Sequence, residues 1–534
     1  MKIAEYLLQA LESNGVKFIF GNPGTTEIPL VRACEGRPGI QYVVSLSEVS
    51  AVPMADGYAR ATRSLGVVNL HVAPGLGNGM GGLYTAGIAQ SPLLVLVGGQ
   101  DLRMLHTGPI LWGPVEQMAR SVAKAVFSIN GTHDAAAAIH QAIRSALNRP
   151  GGPVVLICPP NVLEDEIEAL PHKVQPPVLS GLSEATAEKY AQALCDAKHP
   201  AIIAAEDVHW DRANQALEDL AARIGAKIYA APYTAALPVP ADSPHFAGYL
   251  PPSQKQMAER LAAHDLLFFV GGTSMRRTLY SEAALDQPKL WVGGDARILA
   301  ADGEYALATV ADTRMALLDI TRALGAPTAP AASHPPAQKL ALPPAPAAGL
   351  HPTRAVAALT EAFAKAIWVD ESGLSTSDVR QLVRAQAGEY LINGSGGIGW
   401  GLAASVGAAL GHPQRQVVAI IGDGSALYAS EALWAAGHQG TRLLLVILSN
   451  GRYATLNEAA SRLTGGPLGL FSIDQPALNF EGLALLYGWA YQAVATESAL
   501  TTFLEGCGGR IEQNTLLDLR LDPDIKPVTA ARHF

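Results

Sequence analysis

The 534-residue chain has little cysteine, little charge and no long apolar run, and each shortage removes a class of protein. Its four cysteines (Cys34, Cys158, Cys195 and Cys507) are scattered without C-x-x-C spacing, so they point to neither a disulfide framework nor a thiolate metal site. They read as small apolar residues kept in a reducing compartment. No apolar stretch approaches the roughly 18 residues that cross a bilayer. Glu5, Gln9, Glu12 and Ser13 interrupt the amino end where a signal peptide needs a continuous apolar core. A soluble, cytoplasmic protein is expected. Charged residues make up 16% of the chain, the net charge is −9 and no Lys/Arg run stands out, which argues against nucleic acid and membrane partners. Residues 185–325 also lack the G-x-G-x-x-G fingerprint of dinucleotide sites.

What is abundant is apolar material, 49% of the residues, enough for large cores and large buried interfaces. At roughly 100 to 200 residues per domain, the length calls for three or more domains. Short apolar runs alternate with helical patterns. Val16 to Phe20, Ile40 to Leu46, Gly66 to Val72, Pro92 to Val97 and Val154 to Ile157 read as strands, each stopping at a turn or polar segment. The rhythm resumes at Ala201 to Ala204, Ala226 to Ala230 and Asp265 to Val270, ends at Lys289 to Val292, and returns in the last third of the chain, where Leu516 to Leu521 is the final strand. Such alternation predicts an α/β fold of doubly wound parallel sheets. Three domains are expected, at 1–172, 185–325 and 351–534, with Ala/Pro-rich residues 326–349 as a surface tether.

The most informative stretch is Val417 to Tyr453. One apolar run (Val417 to Ile421) stops at Gly422-Asp423-Gly424-Ser425, a helical pattern follows through Trp434, and a second run (Leu443 to Leu448) stops at Ser449-Asn450-Gly451. This is a βαβ unit with polar residues at the carboxyl ends of both strands, where parallel sheets bind ligands. Asp423 offers a carboxylate oxygen, Asn450 an amide oxygen, and a turn after Gly451 can aim the carbonyl of Arg452 at the same point. Three such oxygens plus a diphosphate suit Mg²⁺. Gly422 and Gly424 let the main chain come close, and the helix after Ser425 presents N–H groups to an anion. Taken alone, Gly-Asp-Gly is equally ordinary turn chemistry.

The Asp423 to Asn450 spacing resembles the signature of the thiamine diphosphate enzymes, whose metal ligands would be Asp423, Asn450 and the Arg452 carbonyl here. The family's usual Asn-Asn is Ser449-Asn450 in this chain. Among these enzymes the resemblance is strongest to the benzoylformate decarboxylases and covers nearly the whole chain. It rests on Gly21-Asn22-Pro23-Gly24, Asn69-Leu70-His71, Gly75 to Gly81, Asp370-Glu371-Ser372 and Gly394 to Gly399. It makes the first domain pyrimidine-binding and the third diphosphate-binding, with thiamine diphosphate and Mg²⁺ as cofactors.

The resemblance assigns roles residue by residue. Glu48, which spacing alone reads as an acid at a helix start, becomes the carboxylate on the pyrimidine N1′; it favours the imino form whose N4′ deprotonates the thiazolium C2. His71, otherwise a histidine at the end of an apolar strand, becomes the acid/base on the carbonyl-derived oxygen. Thr25 matches a Ser that contacts the substrate carboxylate. The Gly396 carbonyl would accept from N4′, and Ile398 would be the apolar wedge that bends the cofactor. Gly373, Leu374, Ser375 and Ser425, with the N–H of Tyr453, would reach the diphosphate. Ile110, Leu111 and Trp112 read either as an apolar side of the substrate pocket or as core packing. Two positions depart from the family: Thr278 stands where a second catalytic His is expected, and Ala459 where an aromatic packs on the substrate ring. Arg276 or Arg277 could bind a carboxylate in compensation. The implied reaction is non-oxidative decarboxylation of a 2-oxo acid to an aldehyde. Acetolactate synthase-like carboligation, a flavin-dependent oxidase and a non-catalytic cofactor binder stand as rivals. Because such sites form between the pyrimidine domain of one subunit and the diphosphate domain of another, a homodimer or homotetramer is implied.

Overall fold

The computed structural model describes residues 1–272, 283–300, 304–325, 340–346 and 349–530. Within them the apolar runs become three six-stranded parallel sheets. The first contains β1 (Phe18–Gly21), β2 (Gln41–Val44), β3 (Gly66–Leu70), β4 (Leu93–Gly98), β5 (Ala125–Ser128) and β6 (Pro153–Cys158), ordered β2-β1-β3-β4-β6-β5. The second contains β7 (Pro200–Ala204), β8 (Lys227–Ala230), β9 (Phe246–Tyr249), β10 (Leu266–Val270), β11 (Lys289–Gly293) and β12 (Leu307–Val310), ordered β12-β11-β10-β7-β8-β9. The third contains β13 (Ile367–Glu371), β14 (Tyr390–Ile392), β15 (Val417–Gly422), β16 (Leu443–Ser449), β17 (Ala490–Val494) and β18 (Thr515–Arg520), ordered β14-β13-β15-β16-β18-β17. Counted within its own domain, the third order is the same as the first, so the two outer domains share a topology.

Central strands such as β4 and β16 are apolar along their length because helices cover both faces of a parallel sheet. The structure adds β5, β9, β12, β13, β14 and β17 to the strands read from sequence. All but β13 lie at sheet edges, and four of those five are partly exposed, so they carry no continuous apolar run; β13 is interior and buried, but its apolar run is only Ile367 to Val369 before Asp370 and Glu371. The second sheet therefore continues past Val292 to β12, correcting the expected end at β11. The helix expected through Trp434 is instead two short helices, Asp423–Ala426 and Ala432–His438, and the turn between them leaves Leu427 and Tyr428 exposed. Most of the Ala/Pro-rich segment lies outside the described residues.

Two features fix the outer domains against each other and against the middle one. The helix Glu48–Thr62 lies on the helix Trp400–Gly411 so closely that a Cβ added at Gly57 would sit 2.0 Å from the Ala404 carbonyl, and one at Gly407 would sit 1.9 Å from the Met54 carbonyl. Beside this contact, the fully buried Arg60 pairs with Asp56, donates to the Ile392 carbonyl at 2.9 Å and stacks on Trp400, whose Nε1 donates to Asp56 at 2.7 Å. The middle domain seals the edge of β14: Leu237 N–H donates to the Tyr390 carbonyl and Ile392 N–H to that of Ala235.

Candidate active site

Strand order reverses between β13 and β15, which places the carboxyl ends of β13, β15 and β16 around one crevice, as expected for a parallel sheet. A cavity of about 780 Å³ opens there. Its wall includes Gly373, Leu374 and Ser375 after β13, Gly396 and Ile398, Gly422 to Ser425 after β15, and Asn450, Arg452 and Tyr453 after β16. Every residue assigned to the diphosphate, the cation or the thiazolium thus borders a single space.

Asp423 organises this space. It is buried, its Oδ2 accepts from the N–H groups of Asn450 (2.9 Å) and Gly451 (2.7 Å), and its Oδ1 accepts from Gly424 N–H (2.8 Å). Gly451, at φ +67°, makes the turn that follows, and the Asn450 side-chain oxygen accepts from Arg452 N–H at 3.1 Å. The Arg452 carbonyl accepts from Ala454 N–H at 2.9 Å and keeps a second lone pair. Burial pushes the Asp423 carboxyl upward, and its backbone hydrogen bonds oppose that rise. A Cβ on Gly424 would sit 2.5 Å from the Tyr453 ring, so only glycine lets the main chain pass there. The donors are hard oxygens with one carboxylate among them, and no group of three or more His, Cys, Asp or Glu side chains suited to a metal occurs among the described residues. Such a set fits a cation that completes its shell from a bound diphosphate. One assignment changes: the Tyr453 N–H donates to the Phe471 carbonyl at 2.8 Å, so this residue meets the cavity with its ring and not its amide.

A second constellation stands at the carboxyl ends of β1, β2 and β3. Glu48 is the first residue of its helix, behind the Ser47 cap, and is 6% exposed. Its oxygens accept from the side-chain amides of Asn22 (3.3 Å) and Asn78 (3.2 Å). His71 follows β3, with its Nδ1 2.7 Å from Glu27 Oε2 and 3.3 Å from Thr26 Oγ1. Thr25 opens the short 3₁₀ turn that carries Glu27, and its side chain is exposed. Neither Glu48 nor His71 lines the cavity formed by its own chain.

Sequence and structure comparisons agree on the family of the chain that carries these two constellations. Residues 1–119, 187–320 and 371–508 match the N-terminal binding, central and C-terminal binding domains of the thiamine pyrophosphate enzymes. The chain is 31% identical over 511 residues to benzoylformate decarboxylase of Pseudomonas aeruginosa, covering 92% of this chain and 94% of that one. The chain belongs to the thiamine diphosphate-dependent 2-oxo acid decarboxylase family. The structure of a thiamine diphosphate-dependent 4-hydroxybenzoylformate decarboxylase from Rhodococcus jostii superposes with a TM-score of 0.91 at 29% identity, covering 98% of this chain and all of that one. Glyoxylate carboligase of Escherichia coli is 25% identical over 493 residues, covering 86% of this chain and 81% of that one.

In this thiamine diphosphate enzyme three residues escaped the sequence reading. Glu27 is a buried carboxylate that accepts from Gly24 N–H (2.8 Å) and Thr26 Oγ1 (2.7 Å) while facing His71. A carboxylate facing Nδ1 favours the tautomer with Nδ1–H and leaves Nε2 as the ring nitrogen available to a substrate. Glu27→Gln should lower turnover about 10-fold to 100-fold and displace the pH–rate profile; an unchanged profile would show that Glu27 does not position His71. Glu371, quoted above only as part of a motif, forms the cavity wall. It accepts from the N–H groups of Gly399 and Gly401, both at 2.6 Å, and fixes the start of the helix Trp400–Gly411 beside Ile398. Burial pushes its carboxyl up to about 7. Asn78 was visible as one letter in a glycine run, with nothing to mark it as a partner of Glu48.

The substrate-side assignments divide. Leu111 and Trp112 border a smaller cavity of about 280 Å³ with Val72, Gln100 and Leu105. Val72 and Leu111 hold φ of +40° and +65°, strained for side chains of their kind. Ile110 borders neither cavity: its side chain is 86% exposed on the single chain, and its carbonyl is held by Gln100 Nε2 at 2.9 Å. Ala459, half-buried on the helix Ala454–Thr464, also lines neither cavity. Thr278, Arg276 and Arg277 lie outside the described residues.

Proposed function

We propose that this enzyme is a thiamine diphosphate- and Mg²⁺-dependent non-oxidative decarboxylase that releases an aldehyde and CO₂ from a 2-oxo acid, with carboligation of the aldehyde as a side activity. The observation that carries this is a Glu48 carboxylate held by two amides and a crevice lined by Asp423, Asn450 and Arg452, in one chain. When bound, the cofactor supplies the electron sink that a departing carboxylate requires. Glu48 would hold the proton balance of the pyrimidine, while Asp423, Asn450 and the Arg452 carbonyl would hold the cation on the diphosphate. The Nε2 of His71 would give and take the proton on the substrate oxygen, and the Thr25 hydroxyl would bind the substrate carboxylate. The apolar recess of Val72, Leu105, Leu111 and Trp112 beside His71 suits a substrate with an apolar side chain.

Neither Glu48 nor His71 lines the cavity of its own chain, which supports a site in which the pyrimidine domain of one subunit faces the diphosphate domain of another. Exposed apolar side chains border both halves: Leu46 and Val49 beside Glu48, and Ile398, Leu427, Tyr428 and Leu456 beside the cavity. Burying them against a second copy makes a homodimer the minimum assembly, with a tetramer as its pairwise extension. No described helix is long and apolar enough to cross a membrane, and a cytoplasmic setting accords with the unpaired cysteines. The decisive experiment is a mass-spectrometric screen of 2-oxo acids with thiamine diphosphate and Mg²⁺, with and without an added aldehyde acceptor. Aldehyde and CO₂ without acceptor is the expected outcome. Product only when two carbonyl units are joined would make the enzyme a carboligase, and no turnover across the panel would overturn the proposal.

A further inference from the structure

Glycines let the helix Val72–Ile88, capped by His71, lie close against the helix that Glu48 opens. A Cβ at Gly82 would sit 2.9 Å from the Cβ of Val52, and one at Gly75 would sit 2.9 Å from Glu48 Oε1. That approach brings Asn78, on the same helix, within hydrogen-bond reach of Glu48: its Nδ2 donates to Oε2 at 3.2 Å. One helix therefore carries the proton-transferring histidine at its cap and, two turns later, an amide on the carboxylate.

A carboxylate offers acceptors only, so the Asn78 amide turns its N–H₂ to Glu48 and its carbonyl oxygen away. Asn22, in the turn after β1, holds the other oxygen, Oε1, at 3.3 Å. Among the described residues these two amides are the side-chain hydrogen-bond partners of Glu48, and no cation is paired with it. The titratable groups around it are engaged elsewhere: the Tyr42 hydroxyl donates to Asn69 Oδ1 at 2.8 Å, and His71 faces Glu27 at 2.7 Å. Two neutral donors on two different oxygens fix the plane of the carboxylate without cancelling its charge, and each oxygen keeps a lone pair for a further donor. An Arg or Lys in their place would fix the plane and neutralise the group. Asn78 is itself exposed on the single chain, so its side chain contributes little to packing.

We infer that Asn78 is a positioning residue of the reaction: it holds the Glu48 carboxylate in the orientation from which that group can meet the pyrimidine of the cofactor. The inference rests on the reading of Glu48 as the carboxylate on that ring.

Crystal structures of the cofactor-free protein and steady-state kinetics with thiamine diphosphate and Mg²⁺ test it together, on Asn78→Ala, Asn78→Ser and Asn78→Asp. The Glu48 carboxylate should keep one orientation in wild type and take more than one in Asn78→Ala. In that variant kcat should fall about 10-fold, with KM, cofactor affinity and denaturant midpoint near wild type. Asn78→Ser retains a shorter donor, should fall between the two, and carries the test if Ala disturbs folding. Asn78→Asp sets a second carboxylate against the first. Its activity relative to wild type should rise as the pH falls, because the added carboxyl donates only once it holds a proton, a dependence that lost packing does not produce. Wild-type kcat in Asn78→Ala, or an unmoved Glu48 carboxylate in all three variants, overturns the inference. A wild-type protein with neither cofactor uptake nor turnover overturns the functional reading instead, and the orientation of Glu48 in the cofactor-free crystals then decides the role of Asn78 alone.

Discussion

Glu48→Gln should lose about 10² to 10⁴ in turnover while remaining folded and able to take up thiamine diphosphate with Mg²⁺. The substitution keeps the shape of the side chain and removes its charge. It also turns an amide N–H₂ toward Asn22 or Asn78, which now donate to carboxylate oxygens. The cavity that would hold the diphosphate contains no atom of Glu48, so cofactor uptake and cofactor activation should separate cleanly. Steady-state turnover beside calorimetric cofactor affinity is the measurement, and wild-type turnover would remove Glu48 from the mechanism. Mixing subunits sharpens the result. Glu48→Gln and Asp423→Asn chains should each be inactive, yet their hybrid dimer contains one site with both native residues. Random reassembly should then restore about a quarter of wild-type activity. No recovery would place both residues in a site formed within one chain.

The second large effect is on stability. A methyl group at Gly407 or Gly57 has no side chain to push aside; it meets a main-chain carbonyl at 1.9 or 2.0 Å, well inside the 3.0 Å that such contacts essentially never breach. The helices Glu48–Thr62 and Trp400–Gly411 would have to move apart, which disturbs the Asp56–Arg60 pair and the Trp400 hydrogen bond buried beside them. Gly407→Ala should cost about 3 kcal/mol or more, measured as a fall in denaturant midpoint, and Gly57→Ala should behave similarly. An Ala variant within about 0.5 kcal/mol of wild type would show that the two helices do not approach so closely in solution.

How much of this was legible in the letters depends on where each residue sits. Most central strands declared themselves because burial on both faces demands continuous apolar runs such as Leu443 to Leu448, whereas β13, cut short by Asp370 and Glu371, did not. Edge strands such as β12, with alternating half-exposed residues, sent no such signal. The Asp423 to Asn450 unit could be read because its polar residues interrupt apolar strands at a fixed place. Glu27 could not, since an acid in the first turn of a helix looks the same whether it balances the macrodipole or holds a histidine. The resemblance gives the amide of Tyr453 to the diphosphate, and only the fold reveals that the strand-like pairing of Arg452 with Ser472 uses it first.

Asp423 makes three hydrogen bonds to the main chain, two of them to the segment that follows a different strand. Its carboxylate therefore splices the tips of β15 and β16 before any cation arrives, and the oxygen cage is assembled at folding and not at loading. Preorganisation of this kind spares the ligand the entropy of ordering a loop. Chelation and dialysis should accordingly yield an empty scaffold of native shape that recharges fully, as expected of a cofactor that is an exchangeable part and not a strut.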